Sequence, residues 1–163
     1  MKEITILLTR YSDWISSFVY HIAGHGYTHA SLGLGGGVYY SFNYRGFCEE
    51  TLEKHRRRGV EQSLSCVLAV SDQAYQDIQA RIEAFQRQRA EYRYTRLGVL
   101  CCLLRIPFLW RRHYFCSQFV AEVLKQSAAF PLTRRAQLYL PNQLGQELMA
   151  SGQIGRASCR ERV

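Results

Sequence analysis

The first hydrophobic run, residues 3–9 (EITILLT), is rich in Ile, Leu and Thr, and its length and composition predict a buried strand. Helical spacing follows. Trp14, Ile15, Phe18, Val19 and Ile22 recur every three or four positions, with Ser12 placed to cap them and Gly24 and Gly26 placed to end them. Residues 27–34 (YTHASLGL), the triplet Gly35-Gly36-Gly37 and residues 38–43 (VYYSFN) predict a strand, a glycine turn and a second strand, which together make a hairpin. Residues 48–59 are polar and carry Lys54, His55 and Arg56-Arg57-Arg58, so a surface loop is expected there. A strand is predicted at 62–70. From Ser71 or Asp72 to about Arg89, the stripe Tyr75, Ile78, Ile82 and Phe85 predicts a long amphipathic helix. Two further helical runs cover 96–104, interrupted before Pro107, and 116–126, where Cys116, Phe119, Val120, Val123 and Leu124 share a face. Strands early and helices late, mixed in one core, predict an α+β fold with an antiparallel sheet.

Composition narrows the class. The 163 residues hold 12 Gly and 3 Pro, and 47% of them are hydrophobic, which excludes collagen-like, low-complexity and wholly disordered chains. At this length one domain can bury close to 70% of its unfolded surface and fold without a disulfide or metal staple. The longest apolar run, residues 97–104, is eight residues long, whereas a bilayer-spanning helix needs about 20. Residues 1–8 contain Glu3 and too short an apolar core for an export signal, so a cytoplasmic protein is expected.

The last residues, 153–163 (QIGRASCRERV), resemble the translated read-through of a common sequencing adapter. They are expected to be disordered, with the domain itself at 1–152. Without them 18 Lys and Arg face 12 Asp and Glu, so the charge falls from +8 to +6.

Of the six cysteines, none forms a C-x-x-C pair, and reduced thiols without zinc are expected. Cys116 differs from the rest because it opens an amphipathic helix, where unsatisfied backbone N–H groups and the positive end of the dipole converge. Such surroundings favour thiolate, the reactive form, while the plain alternative is a small apolar residue on a core face. His21, His25 and His29 are spaced by four like the ligands of a helical metal site, but Gly24 and Gly26 would break that helix, so no metal is expected. His29 lies instead within a strand, where it can be aimed at a cysteine, and its second nitrogen then needs an orienting partner. Ser41 and Asn43 share a face of the next strand and either could supply it.

Tyr27-Thr28-His29-Ala30-Ser31-Leu32, then Tyr40-Ser41-Phe42, and much later Tyr114-Phe115-Cys116-Ser117-Gln118-Phe119-Val120 are similar to elements of the circularly permuted papain-like amidohydrolases of the NlpC-type superfamily, related to lecithin:retinol acyltransferase. The order His then Cys matches the permuted branch, and Pro141-Asn142-Gln143-Leu144 resembles its proline-led segment after the cysteine helix. The resemblance spans roughly residues 3–144. It implies an antiparallel sheet packed against a cysteine-bearing helix, a Cys116 nucleophile and a His29 base. It also implies a cofactor-free hydrolase or acyltransferase for an amide, thioester or ester bond. As the third catalytic residue, members often place a glutamate, histidine or glutamine on the second strand, where this chain offers Ser41 and Asn43.

Other features bear on partners. Arg56-Arg57-Arg58 and Arg111-Arg112 could meet phosphate or an anionic membrane surface, and the positive charge would steer such partners. The aromatics Tyr92, Tyr94 and Trp110 match no RNA-binding signature, and no nucleic-acid partner is expected. Residues 97–110 are expected to form a buried helix before the nucleophile, the alternatives being an acyl-chain groove or a membrane contact. The substrate is expected to be a small peptide or an acyl-bearing molecule. The competing class is a papain-like binding module that has lost competent chemistry and works through its basic loops.

Overall fold

The computed structural model describes residues 1–11, 26–151 and 157–162. The helix expected behind Ser12, with His21 and His25, lies outside the described residues.

A six-stranded antiparallel sheet runs in the order β4-β3-β2-β1-β5-β8. Its strands are β1 (Lys2–Tyr11), β2 (His29–Gly33), β3 (Val38–Asn43), β4 (Gly46–Thr51), β5 (Val60–Val70) and β8 (Ala157–Arg162). A separate two-stranded parallel pair joins β6 (Arg93–Tyr94) to β7 (His113–Tyr114). The helices are α1 (Leu52–Arg57), α2 (Asp72–Arg87), α3 (Arg96–Leu103), α4 (Cys116–Gln126) and α5 (Pro141–Ala150).

The long strand β1 is the spine of the sheet, paired along its whole length with β5 and over Thr5–Thr9 with β2. Alternation sends Ile4, Ile6 and Leu8 into one core together with Ala30, Leu32, Phe42, Leu64 and Leu68. Onto this face α2 lays Ala74, Ile78 and Ile82, and α4 lays Phe119, Val120, Val123 and Leu124. Ser71 caps α2 by accepting from the backbone N–H of Ala74 at 3.1 Å, so the helix starts where its sequence signal places it. The β2–β3 connection turns through Gly35, Gly36 and Gly37, all at positive φ, a region that side chains with a Cβ enter at a cost.

Three expectations change. Residues 48–59 are no loop: they form most of β4, in register with β3 from Val38↔Thr51 to Asn43↔Gly46, and then α1, capped by Thr51. Their polar composition concealed them because β4 and α1 bury Glu50 and His55, residues with no hydrophobic period to show. Where disorder was expected in 153–163, the backbone of Ala157–Arg162 pairs with β5, whose outer edge offers unpaired N–H and C=O groups to any extended segment. Cys66 is disulfide-bonded rather than a free thiol, whereas Cys48, Cys101, Cys102 and Cys116 are free.

Candidate active site

α4 begins at Cys116 because Phe115 is extended (φ −113°, ψ 165°), and its backbone N–H is met by Gln118 Oε1 at 3.4 Å. Ser117 Oγ donates to the Tyr139 carbonyl at 2.6 Å and pins this first turn to the segment leading into α5. The turn's own backbone serves the sulfur: the N–H of Ser117 donates to Cys116. The second backbone donor comes from the sheet. β2 and β3 are paired only at Leu32↔Tyr40 and Gly33↔Tyr39, and beyond these the ladder stops. Ala30, freed from that ladder, accepts on its carbonyl from Ser41 Oγ at 2.6 Å and donates its N–H to Cys116.

His29, the residue before Ala30, hydrogen-bonds Cys116. Its Nε2 lies 2.9 Å from Glu50 Oε2, which leaves Nδ1 for the sulfur. Glu50, only 1% exposed, is a carboxylate that burial alone would neutralise. It is kept ionised by what surrounds it. His29 stands against one oxygen, His55 Nε2 lies 3.4 Å from that same oxygen, and Arg58 Nη1 lies 3.7 Å from the other. Cys48 Sγ donates to Oε1 at 3.7 Å. Burial pulls the acid upward, the neighbouring positive charges pull harder, and its pKa settles at about 2.

The same balance sets the other groups. Burial presses His29 toward neutrality, but Glu50 and Cys116 hold the imidazolium and push its pKa up to about 10. Burial opposes the Cys116 thiolate, and the His29 charge with the N–H groups of Ala30 and Ser117 brings the thiol below its ordinary value. Cys116 and His29 thus move in opposite directions, the condition for a thiolate–imidazolium pair at neutral pH. His55 goes the other way, down to about 4, because burial and the nearby positive charges of His29 and Arg58 outweigh Glu50. Tyr11, pushed upward by burial and by Glu50, stays a phenol. Its hydroxyl therefore donates to His55 Nδ1, which puts the proton of the neutral ring on Nε2, 3.4 Å from Glu50 Oε2 but hydrogen-bonded to nothing among the described residues. The Tyr11 ring meets His29 edge-on at 5.5 Å between centroids and stacks on His55 at 5.9 Å, closing the polar face of the sheet.

The structure brings Cys116 and His29 together, and corrects the third position. Neither Ser41 nor Asn43 bonds His29. Ser41 has a short side chain, and its hydroxyl closes on the nearer Ala30 carbonyl. Asn43 Oδ1 accepts from the Arg45 N–H at 2.9 Å within its own turn. Glu50, one strand further out, has the reach that serine lacks, and the signal that could have found it was an acidic residue within a turn-bounded run, 46–51. Residues 97–110 also depart from expectation. Only Gly98 and Cys102 of α3 are buried, against Thr95 and beside Phe115 and Leu140. Leu97, Leu100, Leu104, Ile106, Leu109 and Trp110 are 47–67% exposed, because α3 is largely apolar and has only one packed side.

No family model matches the chain, and no curated protein matches it either.

Proposed function

We propose that the protein is a cysteine hydrolase or acyltransferase in which Cys116 attacks, His29 shuttles the proton and Glu50 holds the imidazolium in place, within a circularly permuted papain-like fold of NlpC type. The observation that carries this is the convergence of three residues from separate elements, with the cysteine and histidine ionisations displaced toward the reactive charge state. In the reaction the Cys116 thiolate adds to the carbonyl carbon of an amide, thioester or ester, and the electron pair moves to the carbonyl oxygen. Backbone N–H groups at the start of α4 receive that oxyanion. The His29 imidazolium gives its proton to the leaving group as the C–N, C–S or C–O bond breaks, leaving an acyl-enzyme on Cys116. His29, now neutral, takes a proton from water or from an acceptor alcohol, thiol or amine, whose attack releases the acyl group and restores the thiolate. Glu50 stays ionised throughout, stabilises the imidazolium, and in neutral His29 holds the proton on Nε2 so that Nδ1 faces the sulfur as a base.

The rival reading, a binding module without chemistry, drew its support from a hairpin lacking an acidic third residue, and Glu50 removes that ground. The substrate is an acyl-bearing molecule presented at an anionic surface, since the exposed apolar residues of α3 and its following loop lie among Arg96, Arg105 and Arg111, which are exposed as well. Among the described residues no helix is long and apolar enough to cross a membrane, so such contact would be peripheral. The experiment is intact-mass detection of an acyl-enzyme after incubation with acyl lipids and, separately, with muropeptides, using Cys116→Ala as the blank. An adduct lost in the blank supports the reading; a muropeptide adduct alone reverses the substrate order; no adduct from either refutes the chemistry.

A further inference from the structure

A second concave site opens between the β3–β4 turn, the end of α1 and the segment that leads into β6. It has a volume of about 410 Å³, within the roughly 300–1,000 Å³ typical of small-molecule sites. Arg45, Lys54, Arg58, Arg89 and Arg93 line it, and no carboxylate does. We propose that this cavity binds a phosphate-bearing ligand, through a phosphate monoester or a diphosphate group.

Two cations outside the cavity are matched by carboxylates. Arg57 pairs with Glu53 and Arg112 pairs with Glu91. Among the described residues Arg45, Lys54, Arg89 and Arg93 make no ion pair. Lys54 Nζ donates to the Glu49 carbonyl oxygen, a neutral acceptor, at 3.0 Å, and the Arg45 guanidinium lies over the Tyr44 ring at 5.3 Å. Gathering like charges around one hollow is unfavourable until an anion enters it. A single carboxylate is satisfied by one guanidinium fork, whereas the oxygens of a phosphate group can engage several forks and an ammonium together.

The walls are also fixed relative to each other. Gly46 sits at φ +108°, and a Cβ there would lie 2.6 Å from the Tyr92 carbonyl oxygen. The turn that carries Arg45 therefore packs backbone to backbone against the segment that carries Arg89 and Arg93. Tyr92 is anchored in turn by Phe85, with ring centroids 4.5 Å apart. The cationic groups are thus presented by a preformed hollow rather than by a mobile loop. Arg58 is shared with the cysteine site through Glu50, yet the cavity requires no reactivity from Cys116, and the inference stands apart from the proposed chemistry.

Isothermal titration of the full chain tests it, with inorganic pyrophosphate and inorganic phosphate as soluble probes. Phosphatidylcholine vesicles with and without phosphatidylinositol phosphate are the headgroup arm. The expected result is saturable pyrophosphate binding with Kd below about 1 mM at low salt. The double variant Arg89→Ala/Arg93→Ala, altered only at exposed positions, should weaken it at least about tenfold. Arg134→Ala, an exposed cation outside the cavity, should leave it within about twofold. Retention on the phosphoinositide vesicles, lost in the double variant, would assign the phosphate to a lipid headgroup; binding confined to the soluble probes would assign it to a free phosphate compound. Absence of binding by either arm, an unchanged double variant, or an equal loss in Arg134→Ala would overturn the site.

Discussion

Replacing Glu50 by Gln keeps the length of the side chain and one acceptor oxygen while removing the charge on which His29 depends. The His29 Nε2 to Glu50 Oε2 distance is 2.9 Å and both residues are buried. Two unit charges with centres about 4 Å apart interact by about 4 kcal/mol at an effective dielectric constant near 20. At about 1.4 kcal/mol per unit, that is up to about 3 pKa units of support for the imidazolium. The carboxylate acts on the sulfur at second hand. With Glu50 present, His29 titrates above and Cys116 below its ordinary value, and the ion pair fills the interval between them. Without the charge His29 falls, its proton returns to sulfur, and thiolate appears only as pH approaches the ordinary thiol range of about 8.5. The assay is the rate of iodoacetamide alkylation against pH, with the modified residue located by mass spectrometry. The parent should reach its plateau well below that range, and Glu50→Gln should move the inflection upward by at least about one unit. Glu50→Asp, shorter but charged, should recover part of the shift. Coincident profiles for parent and Glu50→Gln, in proteins of equal circular dichroism, would refute the assigned role.

His55 predicts an acid-sensitive fold. Its folded pKa of about 4 lies below the ordinary 6.5, so the unfolded chain binds the extra proton, and stability is lost as pH falls from about 6.5 to about 4. His55→Gln should flatten that limb, which is worth about 3 kcal/mol, in denaturation midpoints measured across the interval. Glu50, depressed to about 2, adds its own loss only below the ordinary carboxylate range, as pH falls toward that value. Ser41→Ala should cost about 1–3 kcal/mol in urea denaturation by stranding the buried Ala30 carbonyl, and should slow Cys116 alkylation as the strand around Ala30, whose N–H serves the sulfur, loosens. A midpoint equal to the parent's would deny Ser41 its structural task. Leu104→Glu/Leu109→Glu should leave the melting temperature within a few degrees and abolish cosedimentation with anionic vesicles, whereas retained cosedimentation would remove α3 from the membrane contact.

Much of the frame was legible because its signals are periodic. The Ile, Leu and Thr of β1, the glycine triplet of the β2–β3 turn, the stripe of α2 and the face of α4 each state a burial that the fold carries out. Cys116 and His29 were legible for a different reason, since a residue that opens a helix and one held in a strand have few alternatives for placement. Glu50 and His55 were hidden because they are buried for electrostatic rather than hydrophobic reasons. No alternation distinguishes a carboxylate sealed beneath α1 from one in a solvated loop. The short hairpin between β3 and β4 decides the matter, because it doubles the chain back so that residue 50, not 41 or 43, presents an acid to the imidazole. The apolar segment at 97–110 misled in the opposite sense, because hydrophobicity records a preference for leaving water and does not supply a surface to leave it for.

The interrupted seam between β2 and β3 gives the molecule an internal gauge. The Ala30 amide proton is directed at an acceptor whose strength depends on what the sulfur carries. A full negative charge holds it tightly, a protonated sulfur holds it weakly, and the Ser41 bond to the Ala30 carbonyl steadies the strand at the same residue. One backbone nucleus near the start of β2 therefore registers the charge that the sulfur carries, in resonance position and in solvent exchange, with no probe attached.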